Sequence, residues 1–470
     1  MDYQPIENYG VIGDLSTVAL VGLNGSIDFM CFPNFDSPSI FASLLDKNNG
    51  GFFQITPVFG EMHNKQLYLP DTNVLLTRFL SSEGVGELTD FMPADDLYEG
   101  HVLIRRLTNV RGSATYRMKC FPKFNYGRSS HRTEVLDGKN ILFHSDKENG
   151  FSLRLRSTVE IQMQEDGAIA EFFLEPGKSA DFVLELYEKK SEGLEEEELS
   201  SMVTREMEES VEYWKKWVGY SNYNGRWREI VNRSALVLKL LISNKHGSIV
   251  AAPTFSLPEH IGGERNWDYR FTWIRDASFT LYSLMHLGYT REAEKFMKWV
   301  ENLCQDIGEG GSLKLMYTIQ GKKELDEQVL EHMEGYKSSS PVRIGNNAHA
   351  QLQLDIYGEL MDAVYLFNKY GEPISYGFWK NLTHQIDWVC DNWDQEDEGI
   401  WEVRGGRKKF LHSRLMCWVA IDRAIKIGTG RSFPFGQNWV EQRDVIFNSI
   451  YKNFWNEERK SFVQFEGSDT

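Results

Sequence analysis

Nowhere in this chain do apolar residues run for the roughly 20 positions that a membrane-spanning helix needs, which excludes a helical membrane span. The first residues, Met1-Asp2-Tyr3-Gln4-Pro5-Ile6-Glu7, lack a basic stretch followed by an apolar one, so no secretory signal peptide is expected. Basic residues are in deficit: 51 Lys and Arg face 68 Asp and Glu, a net charge of −17. Nucleic acid and an anionic membrane are thereby excluded as main partners, since both require a basic face. Cysteine is scarce. Cys31, Cys120, Cys304, Cys390 and Cys417 are far apart, odd in number and form no CxxC or Cys/His spacing. That argues against a disulfide framework or a thiolate metal site and fits reduced thiols in a cytoplasmic protein. No acidic run has calcium-loop spacing, so neither a metal nor an organic cofactor is implied.

What the chain has in quantity is aromatic side chain: 29 Phe, 20 Tyr and 13 Trp, 13% of 470 residues. Such an excess serves a large core, and it also suits stacking on sugar rings. The length suggests two or three domains at roughly 150 residues each.

The first 190 residues read as β-structure. Alternating runs recur at Val74-Leu75-Leu76-Thr77-Arg78-Phe79, Val102-Leu103-Ile104-Arg105-Arg106-Leu107, Phe151-Ser152-Leu153-Arg154-Leu155 and Phe182-Val183-Leu184-Glu185-Leu186. Asp137-Gly138, Asp166-Gly167 and Pro176-Gly177 separate them as turns, a pattern of short punctuated strands that predicts a sandwich. Composition then shifts. The acids from Glu195 to Glu198 read as the solvated start of a helix with Val203, Met207, Val211 and Trp214 on one face. From Trp227 onward periodicity predicts seven helices, near 227–244, 276–287, 290–305, 347–369, 374–393, 412–427 and 437–454. The long Gly-rich segment 306–346 lies between them, and long loops on a helical scaffold are where binding groups are carried.

The densest chemistry lies in Arg265-Asn266-Trp267-Asp268-Tyr269-Arg270-Phe271-Thr272-Trp273-Ile274-Arg275-Asp276-Ala277. Four aromatic rings, three guanidinium groups and two carboxylates stand here at the mouth of an amphipathic helix. Rings such as Tyr269 and Trp273 can stack on a pyranose while Arg275 and Asp276 bond its hydroxyls. The plainer alternative makes Asp276 an N-cap and the aromatics core. A second cluster, Asp394-Gln395-Glu396-Asp397-Glu398-Gly399-Ile400-Trp401-Glu402-Val403-Arg404, reads mostly as a solvated acidic turn. Glu402 stands apart because the Trp401 indole beside it could screen its carboxyl from water, the setting of a general acid. A structural surface Glu is the competing reading. A third cluster includes Arg343 and then Asn347, read as an N-cap, with Gln351 and Asp355 four apart on one helical face. His412 opens another predicted helix and reads as structural.

Taken in order, several motifs resemble the bacterial and archaeal branch of glycoside hydrolase family 15, which holds glucoamylases and trehalases. They are Pro5-Ile6-Glu7-Asn8-Tyr9-Gly10-Val11-Ile12-Gly13-Asp14, Gly25-Ser26-Ile27-Asp28, Phe35-Asp36-Ser37-Pro38, Arg265 to Asp276, Gly345 to Gly358, and Trp401-Glu402. The resemblance covers essentially the whole chain. It implies a multidomain β + α fold: an antiparallel β-sandwich over 1–190, a helical linker over 191–223 and an (α/α)6 toroid over 224–470. By motif position, Glu402 resembles the family's general acid. Trp273, Arg275, Asp276, Trp401, Tyr269 and Arg343 are implied as substrate-binding, and Val403 stands where fungal relatives carry a second Glu.

The activity implied is exo-acting, inverting release of glucose from the nonreducing end of an α-glucan oligosaccharide, of the glucoamylase type. Trehalase, acting on trehalose, is the alternative within enzymes, and a non-catalytic glucan-binding protein is the alternative outside them. Inversion requires a second carboxyl about 6.5–9.5 Å from the acid to activate water. The family carries that base in a Glu-bearing segment before a Gly-Asn-Phe-Pro-Gln motif, which is missing here. Asp276, Asp268 and Glu264 are nominal substitutes. Seven helices also fall short of the twelve in a closed toroid of six hairpins. The expectation is therefore a toroid incomplete at its C-terminal end with weak or no activity. Apolar helix faces on such an open barrel leave a homo-oligomer open.

Overall fold

The computed structural model describes residues 3–58, 60–94, 97, 100–147, 150–187, 198–307, 312–402 and 405–469. They divide into two compact units, one made of Met1–Asn244, Pro253–Asp268 and Gln328–Ile344, the other of Lys245–Ala252, Tyr269–Glu327 and Gly345–Thr470.

The first unit is built on two antiparallel sheets. One runs, in spatial order, through Tyr9–Gly13, Val18–Gly22, Ser26–Cys31, Phe52–Pro57, Ala114–Phe121, Gly167–Leu174 and Gln162–Gln164, with Ser39–Phe41 paired to Ser26–Cys31. The other runs His131–Asp137, Asn140–Ser145, Ser152–Ser157, Ser179–Tyr187, Val102–Arg111, Val85–Phe91, Leu75–Leu80 and His63–Tyr68. Ile27, Ile55 and Met118 from the first sheet share one core with Phe79, Leu103, Leu155 and Phe182 from the second, the layering of a sandwich. Ala114–Phe121 shows why the pattern was legible: every second side chain is buried and the rest are more exposed. A helix α1 (Leu199–Val218) covers the outer face of the second sheet, Met202 and Val203 packing on Phe91, Ile104 and Val183. Of the expected stripe, Val203 and Trp214 are buried and Met207 and Val211 are half-buried, while Glu206 and Ser210 are buried beside them. The acids Glu195 to Glu197 lie outside the described residues. Helix α2 spans Arg228–Leu240.

A second core in this unit draws on distant sequence. Phe255, Leu330, Met333, Tyr336, Val342 and Ile344 pack with Phe29, Leu44, Leu45 and Tyr126. The strands Phe255–Pro258 and Asn266–Asp268 pair with each other, as do Gln328–Val329 and Arg343–Ile344.

The other unit is helical: α3 (Ile274–His286), α4 (Thr290–Ile307), α5 (Asp355–Tyr370), α6 (Tyr376–Asn392), α7 (Leu411–Arg431) and α8 (Trp439–Phe454). Helices α3, α5 and α7 pack side by side, and α4, α6 and α8 form a second layer. At the α5–α7 crossing Gly358 lets the backbones meet, since a Cβ there would stand 2.3 Å from the Met416 carbonyl oxygen. Among the described residues no helix is long and apolar enough to cross a membrane. All five cysteines are buried, and no disulfide joins them.

One expected helix begins late. Asn346, not Asn347, caps a single 3-10 turn over Asn347–Ala350 by accepting from the Ala348 amide at 3.0 Å. The chain from Gln351 to Leu354 is not helical, and α5 starts at Asp355. The polar–apolar alternation Gln351-Leu352-Gln353-Leu354 has the period of extended chain, which separates Gln351 and Asp355 from the helical face expected for them.

Candidate active site

Trp273 closes a two-residue strand paired with Met316–Tyr317, and α3 begins at the next residue. Trp273 is thus the residue before the helix, with no side-chain cap, and Asp276 lies inside the first turn. The N-cap alternative for Asp276 does not hold: a carboxylate at this third helical position gains instead from the positive end of the helix dipole. Its Oδ1 accepts from Arg275 Nε at 3.1 Å.

Arg275 is the hub. Nη1 donates to Gln353 Oε1 at 3.2 Å and to the Ile400 carbonyl at 3.3 Å, and lies 3.9 Å from Asp355 Oδ2. Nη2 reaches Glu402 Oε1 at 3.5 Å. Burial alone would pull the guanidinium down, but Asp276, Asp355 and Glu402 outweigh it and hold Arg275 above its ordinary value.

Glu402 sits in a tight turn, its amide donating to the Gly399 carbonyl at 3.1 Å, with a left-handed φ of 53°. A non-glycine residue in that region is strained and is held there by its surroundings. Its Oε1 accepts from the Trp273 ring nitrogen at 3.0 Å. The indole touching the carboxyl is therefore Trp273, not the sequence neighbour Trp401. Trp401 is 76% exposed and lines a concavity of about 290 Å³ with Ile400, Phe410, His412 and Gln464. It screens nothing in the way the sequence suggested, because consecutive side chains in a turn diverge. Val403 and Arg404 lie outside the described residues.

The other expected site residues are placed as follows. Trp273 is 2% exposed, so it offers a sugar little surface. Tyr269 is exposed, its ring centroid 5.8 Å from that of Trp273. Arg343 belongs to the sandwich unit, where its guanidinium stacks on Trp267 at 5.0 Å and donates to the Glu264 carbonyl at 2.7 Å. Asp268 and Glu264 belong to that unit too, the first buried and the second exposed.

Sequence reasoning passed over a buried acid cluster beneath Arg275. Asp355 is fully buried, and burial pushes it up to about 6 against the pull of Arg275. Glu359, one turn along α5, is pushed up to about 7 by burial and by the charge of Asp355. His412 from α7 lies between them, Nδ1 4.0 Å from Asp355 Oδ2 and Nε2 3.9 Å from Glu359 Oε1. Burial and Arg275 hold its imidazole below the ordinary value.

Asp397, read as one acid of a solvated turn, is fully buried. Its Oδ2 accepts from the Leu354 amide at 2.9 Å and from Ser413 Oγ at 2.7 Å, tying the start of α5 to that of α7. Of its neighbours, Asp394 fits the expectation better, pairing near the surface with Arg414 and Lys409. Among the described residues no group of His, Cys, Asp and Glu could hold a metal ion.

A strained carboxyl fixed by an indole N–H and a guanidinium, with a second carboxylate on the same guanidinium, can deliver a proton beside a bound polyhydroxyl ring. Such an arrangement suits the acid–base chemistry of glycoside hydrolysis.

The profile described as glycosyl hydrolases family 15 matches residues 225–470, and one described as trehalase-like, N-terminal, matches residues 1–214. The chain is 36% identical over 480 residues to a trehalase of Thermoplasma volcanium, covering 99% of this chain and 74% of that protein. It is 34% identical over 464 residues to a trehalase of Thermoplasma acidophilum, covering 96% of this chain and 76% of that one. In fold it is similar to a bacterial glucoamylase solved in complex with acarbose, with a TM-score of 0.69 at 12% identity, covering 100% of this chain and 71% of the other. The chain belongs to glycosyl hydrolases family 15.

Proposed function

We propose that this chain hydrolyses the α-glucosidic bond of trehalose, with Glu402 as general acid. The observation that carries the reading is the convergence of Trp273 Nε1 and Arg275 Nη2 on one oxygen of Glu402. Arg275 and Asp276 hold the hydroxyls of the nonreducing glucose, and Tyr269 and Trp401 contribute to sugar binding. Glu402 protonates the glycosidic oxygen as the C–O bond breaks, and water adds to the opposite face of the sugar with inversion. Inversion calls for a second carboxylate to take the proton from that water.

Substrate choice rests on relatives. The sequence favoured glucan hydrolysis of the glucoamylase type with trehalase as alternative. Trehalases at 36% and 34% identity over nearly the whole chain support the alternative more strongly. The likeness to glucoamylase concerns fold alone. Helices α3 to α8, in two layers, fit part of an (α/α)6 toroid. The gap between the profile matches, at 215–224, supports the start of the toroid (224–470) after the sandwich (1–190) and linker (191–223). Buried thiols outside any disulfide suit a cytoplasmic setting.

The test is glucose release from trehalose, maltotetraose and isomaltose by the purified chain, with Glu402→Gln beside it. Turnover of trehalose that the variant loses is the expected result. Preference for maltotetraose would restore the glucoamylase reading. Folded protein that binds sugar equally well with either residue at 402 and never turns it over would mark a glucan-binding protein.

A further inference from the structure

A buried carboxylate is costly unless it is paired. Asp355 is fully buried, and no side chain hydrogen-bonds to it among the described residues; the amides of Asp355 and Ile356 at the start of α5 and the charge of Arg275 are what favour its ionised form. The cationic or potentially cationic groups that reach it are Arg275 Nη1 at 3.9 Å and His412 Nδ1 at 4.0 Å. Arg275 in turn divides its edges among three tasks. Nε meets Asp276, Nη2 meets Glu402, and Nη1 faces Gln353, the Ile400 carbonyl and Asp355. Two of those edges serve the residues assigned to sugar binding and proton donation, and the third is turned towards the protein interior.

We propose that Asp355 is a positioning residue for Arg275: its buried carboxylate fixes the guanidinium in the orientation that joins Asp276 to Glu402. One cation thereby sets both the sugar contact and the proton donor. This rests on the hydrolase reading of Glu402. The charge that faces the cation from below makes the difference between Asp355 and a neutral residue of the same shape, because Gln353 and the Ile400 carbonyl already supply hydrogen bonds to Nη1. The ionisable groups facing Asp355 come from every element around it. They are Arg275 on α3, Glu402 and Asp397 on the segment between α6 and α7, His412 and Cys417 on α7, and Glu359 on α5 itself.

The experiment compares the wild-type chain with Asp355→Asn, Asp355→Glu, Arg275→Lys and the double variant Asp355→Asn/Arg275→Lys. The kcat and KM for trehalose are measured from pH 4.5 to 8.5. Asp355→Asn is expected to lower kcat/KM by roughly ten- to hundredfold and to weaken the acid limb of the profile, with partial rescue in Asp355→Glu. The double variant should be no worse than Arg275→Lys alone, because both substitutions break one device. Losses that multiply, or an Asp355→Asn profile within about twofold of wild type, would overturn the proposal. Should Asp355→Asn fail to fold, Gln353→Ala loosens the same Nη1 edge without touching the buried charge and must then show the same non-additivity with Arg275→Lys. If the wild-type chain turns over no sugar, the hydrolase reading fails by itself. The same cycle is then read in D-glucose affinity from tryptophan fluorescence, where non-additive loss supports the positioning role and additive loss refutes it.

Discussion

Replacing Trp273 by Phe removes one atom of consequence, the ring nitrogen that donates to Glu402 Oε1 at 3.0 Å. A hydrogen bond to an ionisable carboxyl contributes about 1.5–3 kcal/mol, and each 1.36 kcal/mol is tenfold in rate. Complete loss would thus lower kcat by about 10- to 150-fold. The longer contact from Arg275 Nη2, at 3.5 Å, survives and keeps the carboxyl partly in place. The expected effect therefore lies towards the lower end, about 10- to 50-fold in kcat. KM for trehalose should change by less than about threefold, because a ring 2% exposed offers little surface to a sugar. The smaller ring also leaves a void, costing about 1–3 kcal/mol of stability, so thermal unfolding accompanies the kinetics to show that the variant is folded at the assay temperature. A raised KM with unchanged kcat would refute the reasoning. It would show that Trp273 touches the sugar and does not hold the acid.

Two further outcomes follow from burial. Burial pushes Asp397 up to about 6, so the folded chain keeps a proton that the unfolded chain has released. The stabilising contribution of that proton is fully present below about pH 4 and is lost as pH rises through 6, on the order of 2–3 kcal/mol in all. Asp397→Asn cannot titrate, so its melting temperature should gain on wild type between pH 5 and pH 8; a constant difference would count against the account. At the α5–α7 crossing, Gly358→Ala places a methyl 2.3 Å from the Met416 carbonyl. Overpacking should outweigh the helix-propensity gain of about 1 kcal/mol and lower stability by about 2 kcal/mol net, visible in thermal unfolding. A higher melting temperature would mean that the two helices can part without cost.

Secondary structure was legible because its signals are local. The alternation from Ser152 to Leu155 and the repeating apolar stripe of α1 are complete within one stretch of chain. Arg275, Asp276 and Glu402 were legible as candidates through motif position, but not their relations. Trp273 and Glu402 are 129 residues apart, and nothing in either neighbourhood says that they meet. The same limit misplaced Asp397, whose acidic surroundings suggested solvent although the residue ties two helix starts together. One signal was available and unused. The period-two run before Asp355 marks extended chain, and it would have moved the start of α5 to the place where Asp355 can lie beneath Arg275.

The sandwich unit completes its second core with side chains from Phe255 to Ile344, and the chain enters the helical unit twice before that core is whole. A nascent chain leaving the ribosome after strand Ser179–Tyr187 carries both large sheets but leaves Phe29, Leu44, Leu45 and Tyr126 without their partners. The main sandwich core, all of it between Ile12 and Leu184, can close once these strands are made, but the second core must wait for about another 150 residues of synthesis. Expression of the sheets alone, cut after residue 190, would leave Phe29, Leu44, Leu45 and Tyr126 as an apolar patch where those later segments belong.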